Sequence, residues 1–326
     1  METFSLFSKK ITAKLLTKDQ IYLISLTSLY LLINGILYTN SYHEIHTLWT
    51  TAGDQDAGYL LLAIAFFYSI KNVRDITSRK VSRWLLPAFL LLSLTHYTGQ
   101  FFDIKTFRLL VLVIGWPFFL GLIMGKELFF RLLLPTMLIV MALPAWYLLI
   151  PLLQLLTVHA VTFGLSLLNI PIFIENNFIY IPNGIIHVAE GCSGLKYFQS
   201  AIALSIIMNL FHKSHWRNIF ILGACSALLA ILANWIRVII LVLVGHYSGL
   251  DNSLMTDHDN LGWIIFAAAL VPMIFIDRKL SIKPYAEKKT TTKGLALEKI
   301  KPLSIIVACL CISLPALFLT LFPFIN

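Results

Sequence analysis

The sequence predicts an all-α polytopic membrane protein of about eight to nine transmembrane helices, with a short outer-face β-hairpin and an interfacial helix. Three observations carry this prediction. Hydrophobic residues make up 58% of the chain and charged residues 13%, about half the charge of a soluble domain. Apolar runs of membrane-crossing length recur along almost the whole chain. The basic residues gather in alternate connecting segments, as they do in cytoplasmic loops.

The apolar runs lie at about 21–38, 57–70, 84–101, 109–125, 132–149, 195–211, 219–244, 261–276 and 303–322. The first is long and has no small-x-small cleavage site, so it reads as a retained span rather than a signal peptide. Residues 132–170 are almost continuously apolar and could hold two spans, but charge decides for one. With the N-terminus inside, a single span there places 21 of the 25 Lys and Arg in cytoplasmic segments, whereas two spans would carry the later basic segments outside. Residues 152–169 then read as a partly amphipathic helix along the outer face, with Gln154, Thr157, His159, Thr162 and Ser166 suited to the interface. Short β-type runs broken by Asn176-Asn177 and Pro182-Asn183-Gly184 follow and predict a hairpin. The chain divides into a cytoplasmic tail (1–20), a transmembrane core (21–277), a basic cytoplasmic linker (278–302) and one additional transmembrane helix (303–326).

The net charge of +9 would point to nucleic acid in a soluble protein. Here it reflects cytoplasmic loops, and no nucleic-acid partner is expected. Of the four cysteines, Cys225, Cys309 and Cys311 fall inside apolar stretches and only Cys192 has a polar setting. No CxxC pair exists, so neither a zinc site nor a disulfide framework is indicated, and no metal or cofactor is expected.

Polar groups at membrane depth are costly and mark candidate functional positions. The first group is Glu190-Gly-Cys192-Ser193-Gly194-Leu-Lys196, which opens the span beginning near Leu195. A helix N-terminus stabilises a thiolate, and backbone N–H groups of Gly191, Ser193 and Gly194 could line an oxyanion hole. The alternative is a capping turn with an incidental cysteine. The second group is Asn234 and Arg237, three residues apart on one helix face and about two turns from the outer end. The alternative there is an arginine snorkelling to the headgroups. The third is His258 in Thr256-Asp257-His258-Asp259-Asn-Leu-Gly262-Trp263, with His246 as a rival base. His43, His46, His159 and His187 share the predicted outer face, whereas His212 and His215 fall on the cytoplasmic side.

In these three segments the chain resembles the exosortase/archaeosortase family. The acidic-x-Cys-Ser-Gly motif, the later Asn-x-x-Arg and the His before Gly-Trp occur here in the same order, over roughly residues 20–280. Asn177-Phe-Ile-Tyr-Ile-Pro resembles the family's extended segment before the cysteine, while Lys196 stands where arginine is common and the last span lies beyond the shared core. The resemblance implies a membrane-embedded cysteine protease or transpeptidase of the cell's inner membrane, with its site on the outer (periplasmic) face. Its partners would be exported proteins with a C-terminal tail made of a short motif such as Pro-Glu-Pro, an apolar helix and a basic end. Cys192 would form a thioester that passes to a lipid or glycan acceptor, or to water. Arg237 would bind the substrate or transition state, and His258 would be the acid/base in preference to His246. Asn234, Ser193, Gly194 and Glu190 would support them. Two other functions stay open on the residues alone. One is a transporter whose pathway is lined by Asn234 and Arg237, which should show paired halves, and no internal repeat is present. The other is a lipid-linked acyl- or glycosyltransferase using Asp257 and His258 without Cys192.

Overall fold

The computed structural model describes residues 18–51, 57–74, 84–212, 214–249, 252–256 and 258–281. Most of the N-terminal tail, the linker beyond 281 and the last predicted span therefore lie outside the described residues. Eleven helices are described: α1 (Lys18–Leu37), α2 (Thr39–Thr51), α3 (Gly58–Arg74), α4 (Leu85–Phe101), α5 (Lys105–Met124), α6 (Lys126–Met141), α7 (Ile150–Leu167), α8 (Leu195–His212), α9 (Trp216–Ser248), α10 (Ser253–Thr256) and α11 (His258–Ser281). Among the described residues, four helical runs are long and apolar enough to cross a membrane: Lys105–Met124, Pro144–Leu167, Trp216–Ser248 and Asp259–Ser281.

Gly125, at φ 107°, folds α5 back on α6, and the absence of a side chain at Gly121 lets Phe129 pack close. Tyr30, Leu85, Phe119, Met124 and Leu132 fill the space between α1, α4, α5 and α6. A second cluster, including Trp49, Ala65, Leu138 and Ile206, joins α2, α3 and α6 to α8. In the C-terminal half, α8, α9 and α11 pack around Tyr197, Ala201, Ala230 and Phe266.

The run expected as one helix over 132–149 is broken. α6 ends at Met141, and Leu143 is extended (φ −104°, ψ 156°) ahead of Pro144. Proline's ring excludes the helical conformation from the residue before it. A single 3₁₀ segment, Pro144–Leu149, then leads directly into α7. Contacts keep this run at one end of the bundle. Trp146 packs on Phe198 near the start of α8, with ring centroids 6.1 Å apart. Val158, Val161 and Leu165 cluster with Val238 and Val242 in the last three turns of α9. Two of the five residues expected at the interface turn inward instead: Gln154 and Thr157 are buried, and the outward side presents Leu152, Leu155, Leu156, Phe163 and Leu167. His159 and Ser166 remain exposed on the outward side among these apolar residues.

The predicted hairpin gains a third strand. β1 (Phe173–Glu175), β2 (Phe178–Ile181) and β3 (Gly184–His187) form an antiparallel meander, with Ile174 opposite Ile179 and Ile179 opposite Ile186. Asn176 takes φ 53° in the first turn, a conformation asparagine tolerates. Ile179, Ile181 and Val188 seal the sheet onto α7 and α9.

The antiparallel helices set a length scale. The 18 residues of α8 span about 27 Å, close to the roughly 30 Å hydrocarbon core of a bilayer. The turn between α8 and α9 is thus about one membrane thickness from the Glu190–Cys192 turn. At the α8–α9 end, Asn218 donates to the Leu280 carbonyl (3.0 Å) and His212 meets Asp277 (3.1 Å). α11 continues four residues past the boundary expected at 277.

Candidate functional site

Glu190–Cys192 form one 3₁₀ turn between β3 and α8, so Cys192 does sit just ahead of a helix N-terminus. The N–H groups of Cys192 and Ser193 donate to the carbonyls of Ala189 (2.9 Å) and Glu190 (3.0 Å), and the Leu195 N–H donates to Ser193 Oγ (3.3 Å). Those groups hold the turn and cap α8, so the Cys192 and Ser193 N–H groups are not poised for an oxyanion. Gly194 is buried at φ 86°, and a Cβ there would lie 2.7 Å from Asn234 Cγ. Its missing side chain makes room for Asn234. Open space adjoins Gly191, where a Cβ would meet nothing within 4 Å.

Asn234 ties the turn to α9. Its Nδ2 donates to the Cys192 carbonyl (2.9 Å) and to Thr157 Oγ1 of α7 (3.3 Å). Nearby, Gln154 Nε2 donates to the Val188 carbonyl (3.0 Å), which fixes the strand leading into the turn. Asn234 Oδ1 is buried and has no hydrogen-bond partner among the described residues.

Arg237, one turn further along α9, is 3% exposed. Its Nη2 pairs with Asp259 Oδ1 at 3.2 Å, and its guanidinium lies 5.7 Å from the centroid of the Tyr197 ring. Tyr197 stacks in turn on Phe266 of α11 at 5.2 Å. A Cβ on Gly262 would collide with Tyr197 Oη and come within 3.0 Å of Arg237 Nε, so only glycine lets α11 approach this pair. α9 runs eleven residues beyond Arg237, about three turns rather than two. The sheet and α7 cover this extension.

Cys192 is half-buried and packs on the Val158–Val188–Val238 cluster. Burial pushes its thiol up. Arg237 and the Ala189 backbone pull the other way, and Asp259 pushes up again. The net direction is upward, because desolvation in apolar surroundings is the largest of these effects. Electrostatics thus couple Cys192, Arg237 and Asp259. Asp259→Asn removes a charge that opposes the thiolate, so iodoacetamide alkylation of Cys192 at pH 7 should speed up severalfold. Arg237→Gln should slow it, and alkylation rates measured across pH check both signs.

His258 is the first residue of α11, next in sequence to Asp259. Its side chain lies outside the described residues, as does Asp257. His246 lies nine residues past Arg237 on α9, with Nδ1 buried and without a partner among the described residues. His159 and His187 are exposed, and His187 stacks on Phe178. His43 and His46 belong to α2, where His46 bonds Tyr59. Glu190 is exposed. Sequence reading assigned no role to Tyr197 or Asp259, although both adjoin the motifs, and it placed Gln154 and Thr157 at the interface.

A bundle of apolar helices, with a cysteine turn held by a buried asparagine beside a buried ion-paired arginine, defines a helical membrane protein with a cysteine-centred candidate site. The chain belongs to the transmembrane exosortase family, whose model matches residues 49–275, more than half of its length. No curated protein and no solved structure matches the chain.

Proposed function

We propose that the chain is a protein-sorting cysteine transpeptidase of the inner membrane, acting at the outer face on exported proteins that carry a C-terminal motif, apolar helix and basic end. The observation that carries this reading is the Asn234 bond to the Cys192 carbonyl, with Arg237 one turn away on the same helix. It joins two of the three motif segments in one place. Basic residues support the orientation: Arg217, Arg278 and Lys279 lie at the opposite end of the bundle, as the cytoplasmic side requires.

The tail's apolar helix spans the bilayer and presents the scissile peptide at the level of Cys192. The Sγ attacks the carbonyl and the C–N bond breaks. The thiol proton passes through the His258 imidazole to the leaving amine. Arg237 stabilises the oxyanion, because the Cys192 and Ser193 N–H groups are engaged within the turn. A thioester on Cys192 remains, and a nucleophile on a lipid or glycan, or water, attacks it and restores the sulfur. Because the resting thiol is pushed up, the base is needed to generate the nucleophile.

Trapping tests this reading. The purified full chain, incubated with a reporter bearing such a tail, should yield a Cys192 peptide heavier by the reporter's acyl fragment. Hydroxylamine should release that fragment. Tail cleavage with no adduct, and none on brief acid quenching, would count against the thioester.

A further inference from the structure

Among the described residues β3 ends the sheet, and β2 pairs along one of its edges only. The Val188 N–H donates to the Asn177 carbonyl (2.8 Å), so alternation turns the backbone of Gly184 and Ile186 toward β2 and that of Ile185 and His187 toward the other edge. The His187 carbonyl accepts from the Ala189 N–H (3.0 Å). What the outer edge presents is the Ile185 N–H and carbonyl and the His187 N–H, a short ladder. Ile185 is 54% exposed and His187 is exposed as well. The strand carries neither the lysine nor the proline with which edge strands are commonly shielded. It also has a direction. The turn before it is tied to the outer end of α9, where Asn183 donates to the His246 carbonyl. The turn after it is tied lower down, where Asn234 donates to the Cys192 carbonyl (2.9 Å). Asn234 lies twelve residues before His246 on α9, about 18 Å nearer the basic end of the bundle. β3 therefore descends toward Cys192, past the open space beside Gly191.

We infer that the substrate residues just ahead of the scissile bond add to this edge as a fourth strand, parallel to β3. The inference rests on the sorting reaction proposed above and names how its substrate is held. An open edge of alternating N–H and carbonyl groups is complementary to an extended peptide backbone. Direction sets the pairing as parallel. A chain whose C-terminal helix enters the bilayer runs from outside inward, as β3 does. The Ile185 N–H donates to one substrate carbonyl. The Ile185 carbonyl accepts from the N–H two residues further on, and the His187 N–H donates to the carbonyl of that second residue. His187 lies five residues before Cys192, so an extended substrate reaches the sulfur from there within about five residues. The edge gives affinity through backbone bonds and delivers the peptide to Cys192 from above.

Disulfide scanning tests the pairing without requiring turnover. The full chain carrying Cys192→Ala receives Ile185→Cys or His187→Cys and is oxidised with tailed reporters. Each reporter bears a single cysteine at one of about eight positions before the scissile bond. Paired strands bring such cysteines within disulfide reach. Crosslinks should peak at one position for Ile185→Cys and move two residues toward the scissile bond for His187→Cys. Phe173→Cys, exposed on the far strand of the sheet, should give none. A second reading comes from Ile185→Pro in the chain with Cys192 intact. It removes an N–H that faces away from β2, so the sheet should persist, and it should raise the reporter's KM severalfold while kcat changes little. A peak that moves two residues the other way, equal crosslinking at every position, or an unchanged KM overturns the inference. So does a disulfide between two copies of the chain through His187→Cys in place of the reporter. Acyl trapping on Cys192 without these crosslinks removes the edge pairing alone, whereas the crosslinks without trapping keep the pairing and remove the thioester.

Discussion

Cys192→Ala abolishes release of a C-terminal tail, with an expected loss of about ten-thousandfold or more, the size seen when a covalent nucleophile is removed. The variant should still fold and still bind the tailed reporter. Cys192 is half-buried at the edge of a cluster whose core is valine, leucine and isoleucine, so truncation should cost about 1 kcal/mol. Cys192→Ser should fail almost as completely. The apolar packing that pushes the thiol up would hold a hydroxyl protonated even more firmly. The measurement is single-turnover cleavage of the reporter, followed on gels, with detergent-phase melting as the control for folding. Cleavage by Cys192→Ala at more than a few per cent of the normal rate would remove the sulfur from the reaction. Loss of reporter binding would instead assign the residue a structural role.

The parts legible in the sequence are those that physics writes locally. Hydropathy locates α5, α9 and α11 because lipid demands apolar side chains over a fixed length. Arg237 stands out because an ionisable group inside an apolar run needs a reason. Other features depend on partners far away in the chain. α2 is too polar for hydropathy to find, yet Ile45 and Trp49 bury its inner face and the Trp49 indole N–H donates to the Ala142 carbonyl. Gln154 and Thr157 read as interfacial from position alone. Their true partners, Val188 and Asn234, lie 34 and 77 residues away. The role of Gly194 was hidden for the same reason. A Cys-Ser-Gly turn reads as a source of backbone N–H donors, whereas the need for glycine at 194 comes from Asn234 on another helix. Tyr197 and Asp259 sit beside recognisable motifs but acquire meaning only when α8, α9 and α11 close around Arg237.

Arg237→Gln should cost about a hundred- to a thousandfold in turnover, the usual price of losing one transition-state donor. Two routes could produce that loss, and pH separates them. Arg237 pulls the Cys192 thiol down, so without it less thiolate forms at neutral pH. If that were its main role, raising the pH would restore the thiolate and recover the rate. If the guanidinium binds the oxyanion, the deficit persists at high pH because the missing donor is not replaced. The proposed mechanism expects the second outcome. Arg237 is 3% exposed, its guanidinium faces the Tyr197 ring, and it meets the 85% exposed Asp259 side chain at 3.2 Å, so an incoming anionic group can exchange with a solvent-accessible carboxylate. Arg237→Lys keeps the charge but loses the planar fork and its stacking. It should therefore alkylate at Cys192 nearly as fast as the parent while turning over far more slowly. A lysine variant with parental turnover would reduce Arg237 to a simple point charge beside the thiol.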